Sequence, residues 1–480
     1  MGARRCSGFW TVLVLVQLAV EVYLMYPNER LIAVLALTIL MLNTAQAAVS
    51  ADQAALLKSS LTPMGAERAG NVDGTIPTWD GGLTQLPAGY AGPGTHHVDP
   101  FPEDKPQFTI TKANLEQYEA HLTPGQIALF NSFPDTFKMP VYQSRRTGSA
   151  PQWVYDNTFK NATSGVLVAE GNGFASAFGG IPFPIPQNGL EVLWNHIARY
   201  RGTYAEHRSS QAAVERNGAY SLVTSEDRIL SSYYDPNGSL DQHGNTLFYY
   251  MTFAIAPARL AGEGALIKET LDQVKEPRMA WSYSPGHRRV RRAPVLAYDN
   301  PLAETKGLRT ADNTDMFNGA PDFYDWTLLG KKEIYIPYNN YMVTSPKVTY
   351  AELLTPGHVN PKYTRYELHR VWVVEGKLKS GGRHIYKRRT LFLDEDSWGI
   401  AVADHYNGSG QIWRVSMAYL KNFYEQPMVF TALDTFHDVR ARRYGVQGLD
   451  NEEPRTVDFS KIIPSVEEFT PSALRRKAPR

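Results

Sequence analysis

The chain has 480 residues, and its 49 Lys and Arg against 48 Asp and Glu leave a formal net charge of +1. This balance excludes a general electrostatic attraction to nucleic acid or to an anionic membrane surface. A single cysteine excludes a disulfide framework, and the length allows one large core or two to three domains.

Two apolar runs of about a dozen residues open the chain, at 9–20 and 31–42. Each is shorter than the roughly 20 residues that a membrane-spanning helix needs. Arg30 precedes the second run and Ala45-Gln46-Ala47 follows it, which is the pattern of a secretory signal peptide. We therefore predict a true start at Met25, cleavage near Ala47 and export to the periplasm. A two-pass or uncleaved membrane anchor is the alternative.

The predicted mature chain has 480 − 47 = 433 residues and a charge balance of (49 − 3) − (48 − 2) = 0. Cys6 lies before the cleavage site, and no cysteine follows the second apolar run to carry a lipid anchor. The mature protein is therefore expected to be free of thiols and disulfides.

Residues 48–107 are predicted to be an extended N-terminal arm, in which 63–107 show little periodicity and many Gly, Pro and Asp turn signals. Composition leaves two alternatives open for this segment, an ordered arm that wraps the body or a mobile leader. The adjacent His96 and His97 have no further ligands at the spacing of a closed metal site, so we predict no metal and no cofactor.

Three helices are predicted next. Thr111 can cap a helix over 112–121, and Thr123 with Gln126 forms a capping-box pattern that begins another at Pro124. The clearest helix spans 189–200, where apolar residues around Trp194 recur at helical spacing. The three prolines of 182–186 predict an extended segment before it.

From about Tyr220 the apolar residues alternate with period two, which is typical of β-strands. Strand patterns lie at 247–255, 279–283, 366–374, 384–394, 400–406, 412–420 and 428–436. Turns rich in Gly, Asn and Asp separate them, which favours an antiparallel meander. We predict an α+β fold in which a large, strongly curved antiparallel sheet over 108–450 encloses helices and loops. Residues 451–480 form a C-terminal tail.

Several motifs resemble those of one bacterial family. They are Leu61-Thr62-Pro63-Met64-Gly65, 73–79, Leu122-Thr123-Pro124-Gly125-Gln126, Pro182-Phe183-Pro184-Ile185-Pro186, Trp194-Asn195-His196 and Pro285-Gly286-His287-Arg288-Arg289. In combination they resemble domain-of-unknown-function family 1329, whose members are often labelled outer-membrane lipoprotein-sorting proteins. The half of the chain from Pro285 through the Trp372 and Trp413 strands is similar to the LolA/LolB lipoprotein-carrier superfamily.

The resemblance implies a half-barrel with a lid of helices over an apolar cavity. It also implies that the protein acts together with a transporter of the resistance-nodulation-division type and an outer-membrane partner. The family has no established catalytic residues, so the resemblance assigns none to this chain.

The large apolar residues on one face of the predicted strands are the candidates to line such a cavity. They are Tyr249, Met251, Phe253, Trp281, Trp372, Trp413 and Met417. A solid core made by the same residues is the alternative. The Trp194 helix and the prolines before it are placed to cover this face.

Four arginines, Arg288, Arg289, Arg291 and Arg292, follow a Pro-Gly turn. They either bind an anionic group or an acidic partner, or they protect a solvated sheet edge with charge. His196 on the Trp194 helix is expected to be a hydrogen-bonded structural histidine, and 394–396 is expected to be a solvated acidic turn.

The sequence has no nucleophile elbow, phosphate-binding loop or zinc-protease motif. We therefore predict a non-catalytic periplasmic carrier or accessory protein for a lipid or another hydrophobic molecule. A hydrolase-like enzyme that acts on such a molecule is the alternative, because catalytic triads need no continuous motif.

Overall fold

The computed structural model describes residues 49–293 and 298–478. The predicted signal peptide, the start at Met25, Cys6 and the cleavage site lie outside these ranges. Within them, no helix is both long and apolar enough to cross a membrane.

The described residues form seventeen β-strands. They are β1 (Phe108–Ile110), β2 (Met139–Val141), β3 (Val166–Val168), β4 (Gly173–Ala175), β5 (Tyr204–Val214), β6 (Tyr220–Leu230), β7 (Thr246–Ala256), β8 (Gly264–Thr270), β9 (Met279–Ser284), β10 (Arg289–Ala293), β11 (Tyr324–Pro337), β12 (Tyr366–Leu378), β13 (Arg388–Asp394), β14 (Ile400–Tyr406), β15 (Ile412–Phe423), β16 (Met428–Asp438) and β17 (Arg443–Leu449).

Fifteen of these strands make one open sheet in the order β1-β2-β12-β13-β14-β15-β16-β17-β5-β6-β7-β8-β9-β10, and β11 also pairs with β12. Short turns join most neighbours, so the pairs are antiparallel; β2 beside β12 is a parallel exception. A sheet this wide curls because adjacent strands twist. The predicted curved α+β sheet is confirmed.

Six short α-helices accompany the sheet. They are α1 (Ala51–Ala55), α2 (Pro124–Ser132), α3 (Gln152–Ala162), α4 (Gly189–Ile197), α5 (Tyr350–Leu353) and α6 (Pro471–Lys477), all within the described ranges. The predicted helix over Lys112–His121 is a 3-10 helix. The capping box at the start of α2 is confirmed. Thr123 Oγ1 accepts from the backbone N–H of Gln126, and Gln126 Oε1 accepts from the backbone N–H of Thr123.

The Trp194 helix, α4, is buried beneath the sheet and ends at Ile197, three residues before the predicted end. Its Trp194 side chain is fully buried and donates to the carbonyl of Gly171 at 2.9 Å. As expected, His196 is a structural histidine, since its two ring nitrogens lie 3.1 Å from the carbonyl of Trp398 and 2.8 Å from that of Asp315.

The segment before β1 is packed against the body of the protein. Trp79 donates to the carbonyl of Gly148 at 2.8 Å, and His97 lies 2.9 Å from a Glu425 oxygen. Ile76 is fully buried in the main core. These contacts pack the segment against the body as an arm.

This arm corrects the expectation that 394–396 is a solvated turn. Asp394, Glu395 and Asp396 are all buried. The arm lies over them, and Arg146 and Arg370 supply the opposite charges. Period-two alternation alone would also place Glu367 of β12 toward solvent, but it is buried and accepts from the backbone N–H of Arg145 at 2.7 Å and from the Asn339 side chain at 3.0 Å.

Candidate ligand cavity

A cavity of about 680 Å³ lies against one face of the sheet. Its wall is made by β5–β9 and β15–β17, and residues 302–318 cover it. The volume is within the roughly 300–1,000 Å³ typical of small-molecule sites. Exposed residues at its rim, among them Ser221, Arg259 and Lys306, show that the cavity opens to solvent.

Strand pairing explains why the wall is continuous. Residues of one parity on each strand face the cavity, and they lie side by side across the sheet. One such row is His207, Asp227, Thr252, Ala265 and Ser282, each paired with the next. A one-residue shift in register would turn the whole row to the other face.

The cavity wall is mostly apolar with a set of charged groups. Its aromatic and aliphatic residues include Val223, Ile229, Phe248, Tyr250, Ile267, Phe423, Met428, Phe430 and Leu433. Its ionisable residues include Arg201, His207, Asp227, Glu304, Arg309, Asp315, Lys421, Asp434 and Asp450. Sequence alternation could have found the first set; the second comes largely from loops and from strands that look polar.

The seven predicted lining residues do not line this cavity. Tyr249, Met251 and Phe253 have the opposite parity on β7 from the residues of the wall, and with Trp281 they pack in a second core. Leu474 of α6 is buried in that second core. The C-terminal tail thus covers the face that the strand pattern assigns to the ligand. The predicted face is corrected to Phe248, Tyr250, Thr252 and Ala254.

The other three candidates lie away from the cavity. Trp372 stacks on Trp398 with ring centres 6.1 Å apart, and Met417 is fully buried in the main core. Trp413 donates to Asp438 at 3.0 Å. The Trp194 helix does not line the cavity either, and the loop of 302–318 takes the covering role predicted for it.

The four arginines lie at an edge of the sheet. Arg289, Arg291 and Arg292 belong to β10, the terminal strand in the sheet order, and Arg288 precedes it with a positive φ of 50°. All four side chains are exposed. This placement is compatible with edge protection and with docking, so the docking role stays a prediction.

The charged groups of the wall differ in how they are compensated. Although burial opposes its charge, Arg199 and Arg201 lower the pKa of Asp315 to about 2. Burial raises the pKa of Asp434 to about 7, and burial also raises the pKa of Asp227. Near neutral pH, Asp315 is therefore ionised, whereas burial favours the uncharged forms of the other two carboxyl groups.

A second ionisable cluster lies outside the cavity, under the arm. His369, Asp394 and Asp396 are buried with their ligand-type atoms within 4.8 Å of one another. His369 lies 3.3 Å from Glu367 and 3.2 Å from Asp394. Burial opposes the charge of this imidazole, but the two carboxylates raise its pKa to about 9. The imidazolium therefore supplies the positive charge at this point.

The ion pairs of His369 should make the folded protein less stable as the pH becomes alkaline. The pKa of His369 in the folded chain exceeds the ordinary value of about 6.5, so its contribution is complete below pH 6.5 and is lost as the pH rises through 9. We expect His369→Gln to lower the free energy of unfolding by about 3 kcal/mol relative to the wild type at pH 6, and by markedly less at pH 10. Urea unfolding at both pH values measures this, and an equal loss at both would contradict the assignment.

The fold and the cavity together define an open-sheet α+β protein with a mostly apolar cavity against one face of the sheet. The chain belongs to the DUF1329 family, described as protein of unknown function, whose model matches residues 109–475. The predicted family is thereby confirmed. The chain is 49% identical over 451 residues to the Pseudomonas aeruginosa protein named Uncharacterized protein PA3922, covering 93% of this chain and 98% of that one.

Three solved structures are similar at low identity. An outer membrane lipoprotein-sorting protein domain from Vibrio parahaemolyticus is 12% identical, with a TM-score of 0.41 over 60% of this chain and 98% of that one. A DUF1329 family protein from Desulfovibrio piger is 13% identical, with a TM-score of 0.39 over 57% and 92%. The LolA superfamily protein NE2245 from Nitrosomonas europaea is 12% identical, with a TM-score of 0.35 over 59% and 98%. At these scores they carry no argument about function.

Proposed function

We propose that this protein is a non-catalytic carrier or accessory protein that holds one hydrophobic molecule in the cavity. The observation that supports this proposal is the cavity itself, about 680 Å³ with aromatic and aliphatic residues across most of its wall. Burying apolar ligand surface there would contribute roughly 25 cal/mol per Å², less the cost of association.

The packing around the cavity wall favours a cavity that keeps its shape. The strands that form it continue into the main core through buried residues such as Val214 and Val446, and the C-terminal tail covers the opposite face of β5–β9. A wall that is anchored in the core and backed by the tail is preorganised for a ligand, which lowers the entropic cost of binding.

One observation favours the alternative of an enzyme. His207, Asp227 and four serines line the cavity, the serines being Ser209, Ser221, Ser225 and Ser282. A hydrolytic triad needs a hydrogen bond from the serine to the histidine. Within the described residues none of the four serine hydroxyls makes that bond, and the carboxylate that His207 pairs with is Asp450 at 3.6 Å. We therefore place the carrier first.

Titration with N-phenyl-1-naphthylamine, a neutral fluorescent probe of apolar sites, tests the proposal. We expect saturable enhancement with one site per chain and a Kd in the micromolar range. The absence of saturable binding would contradict the carrier. Release of p-nitrophenol from a long-chain p-nitrophenyl ester, lost on His207→Ala, would instead support the enzyme.

We place this carrier in the periplasm, on the strength of the signal-like sequence that ends at Ala47. A carrier there needs a donor and an acceptor for its cargo. A resistance-nodulation-division type transporter with an outer-membrane partner is the pair that the family resemblance implies. The exposed arginines of β10 are the surface that we propose for docking such a partner.

A further inference from the structure

Arg309 differs from the other buried arginines of the described structure. Six of the seven, Arg146, Arg199, Arg365, Arg370, Arg389 and Arg414, have a carboxylate within 4.0 Å. Among the described residues, Arg309 has none, although its side chain is only 5% exposed. A buried charge without a counter-charge is costly, so its position invites an explanation.

The hydrogen bonds of Arg309 orient its guanidinium but do not neutralise it. Nη1 donates to Gln447 Oε1 at 2.6 Å and to Thr314 Oγ1 at 3.3 Å, and Nη2 donates to Gln211 Oε1 at 3.0 Å. Gln211 and Gln447 are cross-strand neighbours on β5 and β17. Nε has no acceptor among the described residues. The guanidinium is therefore held by neutral groups and keeps a spare donor.

This guanidinium is part of the cavity wall. The wall also has six acidic residues, which are Asp227, Glu263, Glu304, Asp315, Asp434 and Asp450. None of them has a carboxylate oxygen within 4.0 Å of this guanidinium, and burial raises the pKa of Asp227 and of Asp434. Lys421 is the other buried cation of the wall without a carboxylate in that range, and burial lowers its pKa. An ammonium can lose its proton when buried, whereas a guanidinium stays charged.

We propose that Arg309 binds the anionic headgroup of an amphiphile whose apolar chain lies along the aromatic and aliphatic part of the cavity wall. This inference rests on the proposed function, because it names the class of cargo for the same cavity. A carboxylate or a phosphate group would supply the missing negative charge and accept from the planar guanidinium. A neutral hydrocarbon or sterol would leave the charge uncompensated.

Displacement of N-phenyl-1-naphthylamine by dodecanoate, monododecyl phosphate and 1-dodecanol tests the inference at pH 7.5. The three competitors share one chain and differ in the headgroup. We expect at least one of the two anions to bind about tenfold or more tightly than the alcohol, the usual scale of a charged hydrogen bond. The stronger anion distinguishes a carboxylate cargo from a phosphate cargo.

Arg309→Gln should abolish this preference while the alcohol still binds. Arg228→Gln is the matched control, because Arg228 lies on β6 with the opposite parity from the wall residues Asp227 and Ile229, and it should keep the preference. Glu304→Gln removes a negative charge from the wall, so it should preserve or increase the preference.

The outcomes separate the two proposals. If neither the probe nor any competitor binds the wild type, the carrier itself fails. If the probe and the alcohol bind but the anions bind no better, the carrier stands and the role of Arg309 is overturned. Persistence of the preference in folded Arg309→Gln would also overturn it. If Arg309→Gln does not fold, the wild type and Glu304→Gln still test the role of Arg309. A weaker preference for anions in Glu304→Gln than in the wild type would contradict the inference.

Discussion

Ala265→Trp is expected to abolish binding of N-phenyl-1-naphthylamine, with at least a tenfold loss of affinity. Ala265 lies in the row of wall residues between Thr252 and Ser282. An indole at this position occupies the volume that the ligand would use. The cavity accommodates the larger side chain, so we expect the free energy of unfolding to change by no more than about 1–3 kcal/mol. Fluorescence titration and urea unfolding of the same preparation measure both effects.

Val274→Trp is the matched control for this prediction. Val274 follows β8 closely in sequence, is 66% exposed and does not line the cavity. It introduces the same indole without filling the proposed site. Equal probe affinities for the two variants would show that the probe binds elsewhere.

Arg146→Met should destabilise the fold by about 3–5 kcal/mol, the usual cost of removing one partner from a buried ion pair. Arg146 Nε and Nη2 donate to Asp396 at 2.9 and 2.7 Å, and Nη2 also donates to the carbonyl of Glu67 at 2.8 Å. Arg146 therefore connects the arm to the turn after β13. The substitution leaves a buried carboxylate and arm carbonyls without donors. Urea unfolding measures the loss.

A double-mutant cycle separates this ion pair from lost packing. Adding Asp396→Asn to Arg146→Met should recover part of the stability, because the uncompensated charge is removed. Arg289→Met is the surface control, and we expect a change within about 0.5 kcal/mol because Arg289 is exposed on β10. Additive losses for Arg146 and Asp396 would contradict the coupling that the distances imply.

Local periodicity was sufficient to predict much of the sheet. The boundaries predicted for 400–406 match β14, and those for 412–420 and 428–436 lie within β15 and β16. These strands are apolar and end at clear turn signals. In contrast, β5 and β11 were missed, because charged residues such as Glu206, Arg208 and Lys331 interrupt their alternation.

The cavity face could not be predicted from alternation alone. β7 carries large apolar residues on both faces, with Met251 on one and Phe248 on the other. Which face is filled by protein depends on Leu474, more than 200 residues away in sequence. Likewise, Arg309 becomes a wall residue only when its loop meets Gln211 and Gln447. Such long-range contacts leave no local pattern.

Native mass spectrometry of the protein purified from its own bacterium without detergent tests the central claim most directly. The account predicts one small molecule per wild-type chain, released as an amphiphile on denaturation, and its absence from Ala265→Trp prepared in the same way. A wild-type chain that carries no ligand and also fails to bind N-phenyl-1-naphthylamine would contradict the carrier. A co-purified molecule bound equally to the wild type and to folded Ala265→Trp would contradict it as well.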